Sequence, residues 1–161
     1  MPDYMETQLS ILLEGLINKE KALTEIVNIT DNQRTVIESG LTPTEVRVFL
    51  TEMNKEKQQF IDRVKGCDTL FEAMLKDIGA ELDARQHMYK PQVAELQKYI
   101  RRVMDLDVKI RLQEEDNNNV LNEQTPPPPS VQQNLKPKPK LLPPDNARVI
   151  KAYEVERKFR G

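Results

Sequence analysis

A seven-residue apolar repeat between residues 46 and 78 most constrains what this chain can fold into. Its two rows are Val46, Met53, Phe60, Cys67, Met74 and Leu50, Val64, Phe71, Ile78, with Lys57 as the single polar member. Apolar side chains at this spacing lie on one side of an α-helix. Thr42-Pro43-Thr44-Glu45 precedes the repeat and is typical of a helix start, with a capping threonine and a proline in the first turn. We predict a helix over residues 43–87, about 65 Å long, which requires partner helices along its length.

A first helix is predicted over residues 3–39. Its apolar stripe includes Leu9, Leu12, Leu16, Leu23, Ile26 and Ile37. The stripe weakens after Val27, because Thr30, Gln33 and Arg34 occupy positions where apolar residues are expected. Gly40 is predicted to end this helix, and the link from Gly40 to Thr42 is long enough only for a tight reversal. The first two helices are therefore expected to pack antiparallel.

The third helix is predicted over residues 91–115. Pro91 is well placed to begin a helix and disfavours helical backbone at Lys90, so residues 88–91 form either a loop or a kink in one continuous helix. The acidic group Glu114-Glu115-Asp116 is interpreted as a solvated helix end. Residues 117–119, all Asn, are expected to let the helix fray because their side chains compete for backbone hydrogen bonds.

Composition changes abruptly after the third helix. Eight of the eleven prolines lie between residues 124 and 144, which predicts an extended arm without a core of its own. Residues 145–161 regain helix-forming character, with a small apolar face that includes Val149, Ile150 and Tyr153. Residues 136–161 carry eight Lys/Arg against three Asp/Glu, so this tail is net +5 and the remainder of the chain is net −7.

The predicted fold class is all-α: an elongated antiparallel helical hairpin or three-helix bundle, coiled-coil-like, with a disordered Pro-rich C-terminal arm. The bundle is assigned to residues 1–120, the linker to 121–144 and the basic tail to 145–161. A charged fraction of 31% and a mean hydropathy of −0.64 favour such a thin-cored helical protein over a spherical enzyme.

The unequal helix lengths predict an open apolar strip. A third helix that ends at residue 115 would reach about half way along the second, which would leave only two helices near Gly40. The residues then exposed to a partner are Val36, Ile37, Val46, Phe49, Leu50 and Met53. The alternative is that these are ordinary core residues, closed off by homodimerisation or by the C-terminal segment.

Residue types that carry chemistry are sparse. Cys67 and His87 are the only cysteine and histidine, and they lie too far apart on one helix to form a catalytic pair or a zinc site. Cys67 is interpreted as a small core hydrophobe and His87 as a partner of the helix dipole. We therefore expect no catalytic residue, no cofactor and no metal, and a protein that is not an enzyme.

Partners are constrained by charge and hydropathy. The acidic body lacks the dense basic face of a nucleic-acid-binding protein. No apolar run approaches 18 residues, and the N-terminus lacks the basic-then-apolar order of a signal peptide. We expect a cytoplasmic protein without an integral membrane segment.

Two segments resemble a known family. The first consists of Glu56-Lys57-Gln58-Gln59-Phe60-Ile61-Asp62 followed by Cys67-Asp68-Thr69-Leu70-Phe71. The second consists of Leu96-Gln97-Lys98-Tyr99-Ile100 followed by Leu106-Asp107-Val108-Lys109-Ile110. Both are similar to segments of small flagellar export chaperones of the FlgN and FliT type. The resemblance covers residues 5–115. Cys67 departs from it, since members often have Leu there.

This resemblance implies a cytoplasmic chaperone that binds a hook-associated or filament-cap subunit, prevents its early assembly and docks on the export apparatus. The tail would compete with the client for the open strip, a hypothesis that deletion of residues 125–161 tests, because it should tighten client binding. The alternative function is a structural coiled-coil adaptor or tether that acts as a homodimer. Whether the chain alone is a monomer or a dimer is left open.

Overall fold

The computed structural model describes residues 3–124. These form α1 (Tyr4–Ile37), α2 (Pro43–Arg85), a single 3₁₀ turn (Gln86–Met88) and α3 (Lys90–Gln124). The predicted all-α fold with three helices is confirmed. Most of the predicted linker and all of the basic tail lie outside the described residues.

Local side-chain contacts fix where the first two helices begin. The Asp3 carboxylate accepts a hydrogen bond from the Glu6 backbone N–H at 2.7 Å and caps α1. Thr42 caps α2 in the same way through the Glu45 backbone N–H at 3.2 Å, while its hydroxyl donates to the Glu45 carboxylate at 3.0 Å. Such caps satisfy backbone donors that have no partner within the helix.

Gly40 makes the reversal between α1 and α2. Its φ of +80° lies in the left-handed region, which glycine adopts without a steric penalty. Between residues 3 and 124 it is the only residue with positive φ. The α1 helix ends at Ile37, two residues before the predicted end, where the Ser39 hydroxyl and backbone N–H both donate to the Val36 carbonyl.

The three helices run up, down and up. Lys19 of α1 pairs with Asp68 of α2 at 2.5 Å, and the Tyr89 hydroxyl donates to the Asp3 carboxylate at 2.9 Å. Asn117, near the other end of α3, donates to the Thr30 carbonyl at 3.0 Å. Thus α3 lies parallel to α1, and α1 is the helix whose backbone approaches both others closely.

Two apolar clusters follow one another along the bundle, and each draws residues from all three helices. The first, near the bundle end that holds Asp3 and Tyr89, contains Met5, Leu9, Leu12, Leu16, Ile78, Leu82, Tyr89, Val93, Leu96 and Ile100. The second contains Ala22, Leu23, Ile26, Val27, Ile61, Val64, Val103 and Ile110. Full burial of a Leu or Ile side chain stabilises the fold by about 1.5–3 kcal/mol, so these clusters supply its main support.

The connection between α2 and α3 is a reversal, which excludes the kinked continuous helix. After Arg85 the 3₁₀ turn and Tyr89 reverse the chain before α3 begins at Lys90. Tyr89 is 3% exposed and lies in the first cluster, while its hydroxyl is held by Asp3. A buried aromatic ring with a satisfied hydroxyl fixes where α3 starts relative to α1.

The predicted end of α3 at residue 115 is wrong. The helix continues nine residues further, to Gln124, through the asparagine run that was expected to fray. Asp116 accepts a hydrogen bond from Arg34 at 2.6 Å, and Asn117 is buried against Thr30. These contacts with α1 override the low helix propensity of the asparagines. The acidic group 114–116 therefore does not lie at a helix end, although Glu115 and Asp116 are exposed to solvent as expected.

None of the helices between residues 3 and 124 combines the length and apolar character needed to cross a lipid bilayer.

Candidate partner-binding surface

A polar layer crosses the bundle beyond the second apolar cluster. Lys57 is fully buried, and its ammonium donates to the Gln33 side-chain carbonyl at 2.5 Å and to the Glu114 carboxylate at 2.9 Å. Gln33 in turn donates to Asn54 at 2.6 Å. All three helices thus contribute a polar side chain at one level of the core. Burial lowers the pKa of Lys57, and the Glu114 carboxylate partly opposes that shift.

The polar layer divides the core from the hairpin tip, which we define as residues 36–53. The two apolar clusters include no residue of the tip. The Gln33–Asn54 contact sets a register in which Ile37 is level with about Leu50, so the first two turns of α2 extend beyond the end of α1. Three large apolar side chains are exposed there: Leu41 (38%), Val48 (59%) and Phe49 (51%).

The six predicted partner-binding residues all lie in the hairpin tip, but they differ in exposure. Ile37 and Val46 are buried, at 4% and 6% exposure. Val36, Leu50 and Met53 are half-buried, and Phe49 is exposed. Phe49 is therefore the strongest of the six as a partner contact, whereas Ile37 and Val46 contribute to the support beneath it.

The expected two-helix half of the bundle is wrong, because α3 is longer than predicted. The Asn117–Thr30 contact sets a register in which Gln124 lies level with Ile37. All three helices therefore run along nearly the whole of α1. Only the start of α2 extends beyond the other two, and the open region near Gly40 is shorter than the sequence predicted.

A second apolar feature continues from the hairpin tip along α2. We define the α2 strip as Phe49, Met53, Phe60, Cys67, Phe71 and Met74. These residues are spaced four, seven, seven, four and three apart, so they share one side of the helix. Phe49 is exposed and the other five are half-buried. Four of the five members of one heptad row, from Met53 to Met74, therefore remain partly open to solvent, while the fifth, Val46, is buried.

The packing of the helices explains why this row stays open. The backbones of α2 and α3 approach each other at few positions, whereas both approach α1 along its length. Phe60 packs against the second cluster and Phe71 and Met74 against the first, each with part of its surface uncovered. The α2 strip is thus a shallow apolar surface of about 35–40 Å, long enough for a helix of about 25 residues.

The structure brings together no catalytic constellation from the residues singled out in the sequence. Cys67 lies half-buried in the α2 strip, and burial raises the pKa of its thiol, which disfavours the reactive thiolate. His87 is exposed in the 3₁₀ turn. Within residues 3–124 no group of three His, Cys, Asp or Glu side chains is placed to hold a metal ion.

Sequence reasoning missed the polar layer, although its signal was present. Gln33 and Lys57 each interrupt an apolar stripe, and Glu114 lies four residues after Ile110, the last residue of the apolar face of the third helix. One such interruption, taken alone, indicates only a weak point in the apolar stripe of a single helix. Interruptions on facing helices at one level indicate a buried polar contact, but the level depends on the register between helices, which the sequence did not supply.

Comparison of the chain with protein-family models, with curated proteins and with solved structures finds no match.

Proposed function

We propose that this protein is a non-catalytic chaperone that binds an apolar helical segment of a partner protein along the α2 strip and the hairpin tip. The observation that carries the proposal is the row of half-buried side chains from Met53 to Met74, which a fourth helix would cover. Helix-in-groove recognition uses this spacing of apolar anchors. Methionine side chains in the row can adapt their packing to different partner surfaces.

The finer proposal is a cytoplasmic flagellar export chaperone whose client is a hook-associated or filament-cap subunit. Its support is the family resemblance described above, because Phe60 and Phe71 belong both to the resembling segments and to the α2 strip. A client helix held there would be kept from assembling before export.

A structural tether is the second candidate. Heptad-spaced apolar residues on an uncovered helix face also favour coiled-coil pairing of two copies. In that case the α2 strip of one chain would pack on the strip of another, and no client would be needed.

Affinity purification of the tagged chain from its own cells, followed by mass spectrometry, tests the proposal. We expect a secreted flagellar subunit to co-purify with the wild type and to be lost with Phe49→Ser. The matched control is Leu112→Ser, which removes a similarly exposed apolar side chain (61%) from α3. Recovery of only the chain itself, at the mass of a dimer, would favour the tether instead.

A further inference from the structure

Charged side chains beside the α2 strip change sign between its tip end and its middle. Glu52 and Glu56 lie three residues after Phe49 and Met53, and Arg63 lies three residues after Phe60. Residues three apart are neighbours on a helix surface, so each of these charges borders the strip. Both glutamates are exposed, and the pair between Glu52 and Lys55 at 3.1 Å is a surface contact of small energy. The tip end is therefore bordered by carboxylates.

The middle of the strip is bordered by cations. The Arg63 guanidinium lies over the Phe60 ring, 5.1 Å from its centroid. Arg111 precedes Glu114 by one turn on α3, and Lys57 precedes Phe60 by one turn on α2. Because Lys57 contacts Glu114 and the helices are antiparallel, Arg111 lies level with Phe60.

Arg111 also has an unused donor. Its Nη2 atom is buried and has no hydrogen-bond partner among residues 3–124. A buried donor without an acceptor costs free energy, and a rotation of the half-buried Arg111 side chain would let a carboxylate from an incoming chain satisfy it. The Arg63 guanidinium over the half-buried Phe60 ring, with Arg111 at the same level on α3, gives the middle of the strip positive charge suited to an acidic side chain.

We propose that the α2 strip binds an amphipathic partner helix of defined charge polarity. Its basic residues contact Glu52 and Glu56 near the hairpin tip, and its acidic residue contacts Arg63 and Arg111 beside Phe60. Glu56 and Arg63 are two helical turns apart, so the basic and acidic positions of the partner are separated by about two to three turns. This inference rests on the proposed function and specifies the chemistry of the segment that is bound.

Two synthetic helical peptides of about 25 residues test the proposal. Both carry leucines at heptad spacing and the same numbers of Lys and Glu; one has its Lys in one half and its Glu in the other, and the other peptide alternates them. Binding to the full chain is measured by fluorescence anisotropy, and protection of Cys67 from alkylation reports occupancy of the strip. We expect the polarised peptide to bind about five- to tenfold more tightly.

Charge-reversal variants locate the contact. Glu52→Lys/Glu56→Lys should remove the preference for the polarised peptide. The control Glu14→Lys/Glu25→Lys makes the same change in net charge at exposed positions of α1 and should leave the preference intact.

Three other outcomes would each contradict the inference, and they can be told apart. If both peptides protect Cys67 with equal affinity, the polarity is wrong and the proposed function stands. If neither binds or protects Cys67, the proposed function fails with it. If Cys67 in the chain alone becomes reactive only on dilution or after deletion of residues 125–161, a second copy or the C-terminal segment already occupies the strip.

Discussion

At the scale of single residues, the buried ammonium of Lys57 is the group whose environment is expected to affect the free energy of unfolding most. Its charge is tolerated because Glu114 and Gln33 both accept hydrogen bonds from it. Removing one member of a buried ion pair leaves the other charge uncompensated, and the cost is larger the less that water can reach the remaining charge. The Lys57 side chain is fully buried, whereas the Glu114 side chain is 15% exposed.

Unequal effects of mutating the two partners are therefore expected. Glu114→Ala should lower the free energy of unfolding by about 3 kcal/mol, because the Lys57 ammonium remains buried without its counter-ion. Lys57→Met should lower it by less, about 1–2 kcal/mol, because the Glu114 carboxylate that remains is partly exposed and can be hydrated. Urea unfolding followed by circular dichroism measures both, and equal destabilisation by the two variants would contradict this account of the pair.

Stability should also depend on pH through Lys57. Burial lowers the pKa of Lys57 in the folded chain below its usual value of 10.5. At a pH between the lowered pKa of the folded chain and 10.5, Lys57 is protonated in the unfolded chain but has released its proton in the folded chain. The free energy of unfolding therefore rises with pH in this range.

The comparison with Lys57→Met isolates this contribution, since other titrating groups are shared by both proteins. We expect the difference in unfolding free energy, wild type minus variant, to increase with pH up to about 10.5. A difference that stays constant or falls over that range would show that the folded state does not lower the pKa of Lys57.

At the scale of helices, the last turns of α3 depend on contacts with α1 rather than on their own propensity. Asn117 is buried and bonded to the Thr30 carbonyl, while Asn118 next to it is exposed. Alanine at either position should gain the same helix propensity, about 0.5 kcal/mol. Only Asn117→Ala loses a hydrogen bond.

Asn117→Ala should therefore be less stable than Asn118→Ala by about 1 kcal/mol. It should also speed amide hydrogen exchange at residues 118–124, because the end of α3 is released from α1. Indistinguishable stability and exchange in the two variants would mean that the Asn117 contact does not hold this end of the helix.

The sequence predicted helix identity and the start of α2 well, because caps, proline, glycine and the heptad repeat are local signals. Thr42, Glu45 and Gly40 act in the places that their residue types indicated. The end of α3 and the burial of Lys57 could not be predicted in this way. Both depend on which residues of separate helices lie at the same level, and a heptad pattern fits several registers equally well.

Part of the candidate site was predictable for the same reason. Phe49 and Met53 were identified from their spacing, and they lie at the tip end of the α2 strip. The heptad repeat includes Phe60, Cys67 and Met74, and Cys67 is interpreted from it as a core hydrophobe. Such a row does not reveal that the facing helix stays too distant to cover it.

At the scale of the whole molecule, the two candidate functions differ in assembly. A chaperone with an α2 strip open for a client is expected to be a monomer at micromolar concentrations and to bind its client one to one. Sedimentation velocity over a hundredfold concentration range measures this. A stable dimer at every concentration, disrupted by Phe60→Glu but not by Leu112→Glu, would support the tether.

The central position of α1 also has a consequence for the synthesis of the chain. The contact between Asn117 and Thr30 spans 87 residues, and the tyrosine that anchors the start of α3 reaches back 86 residues to Asp3. Closing such long loops costs entropy and slows folding relative to helical proteins built from local contacts. On the ribosome α1 is made before α2 and α3, so a nascent chain that has not yet reached Asn117 leaves one apolar side of α1 uncovered.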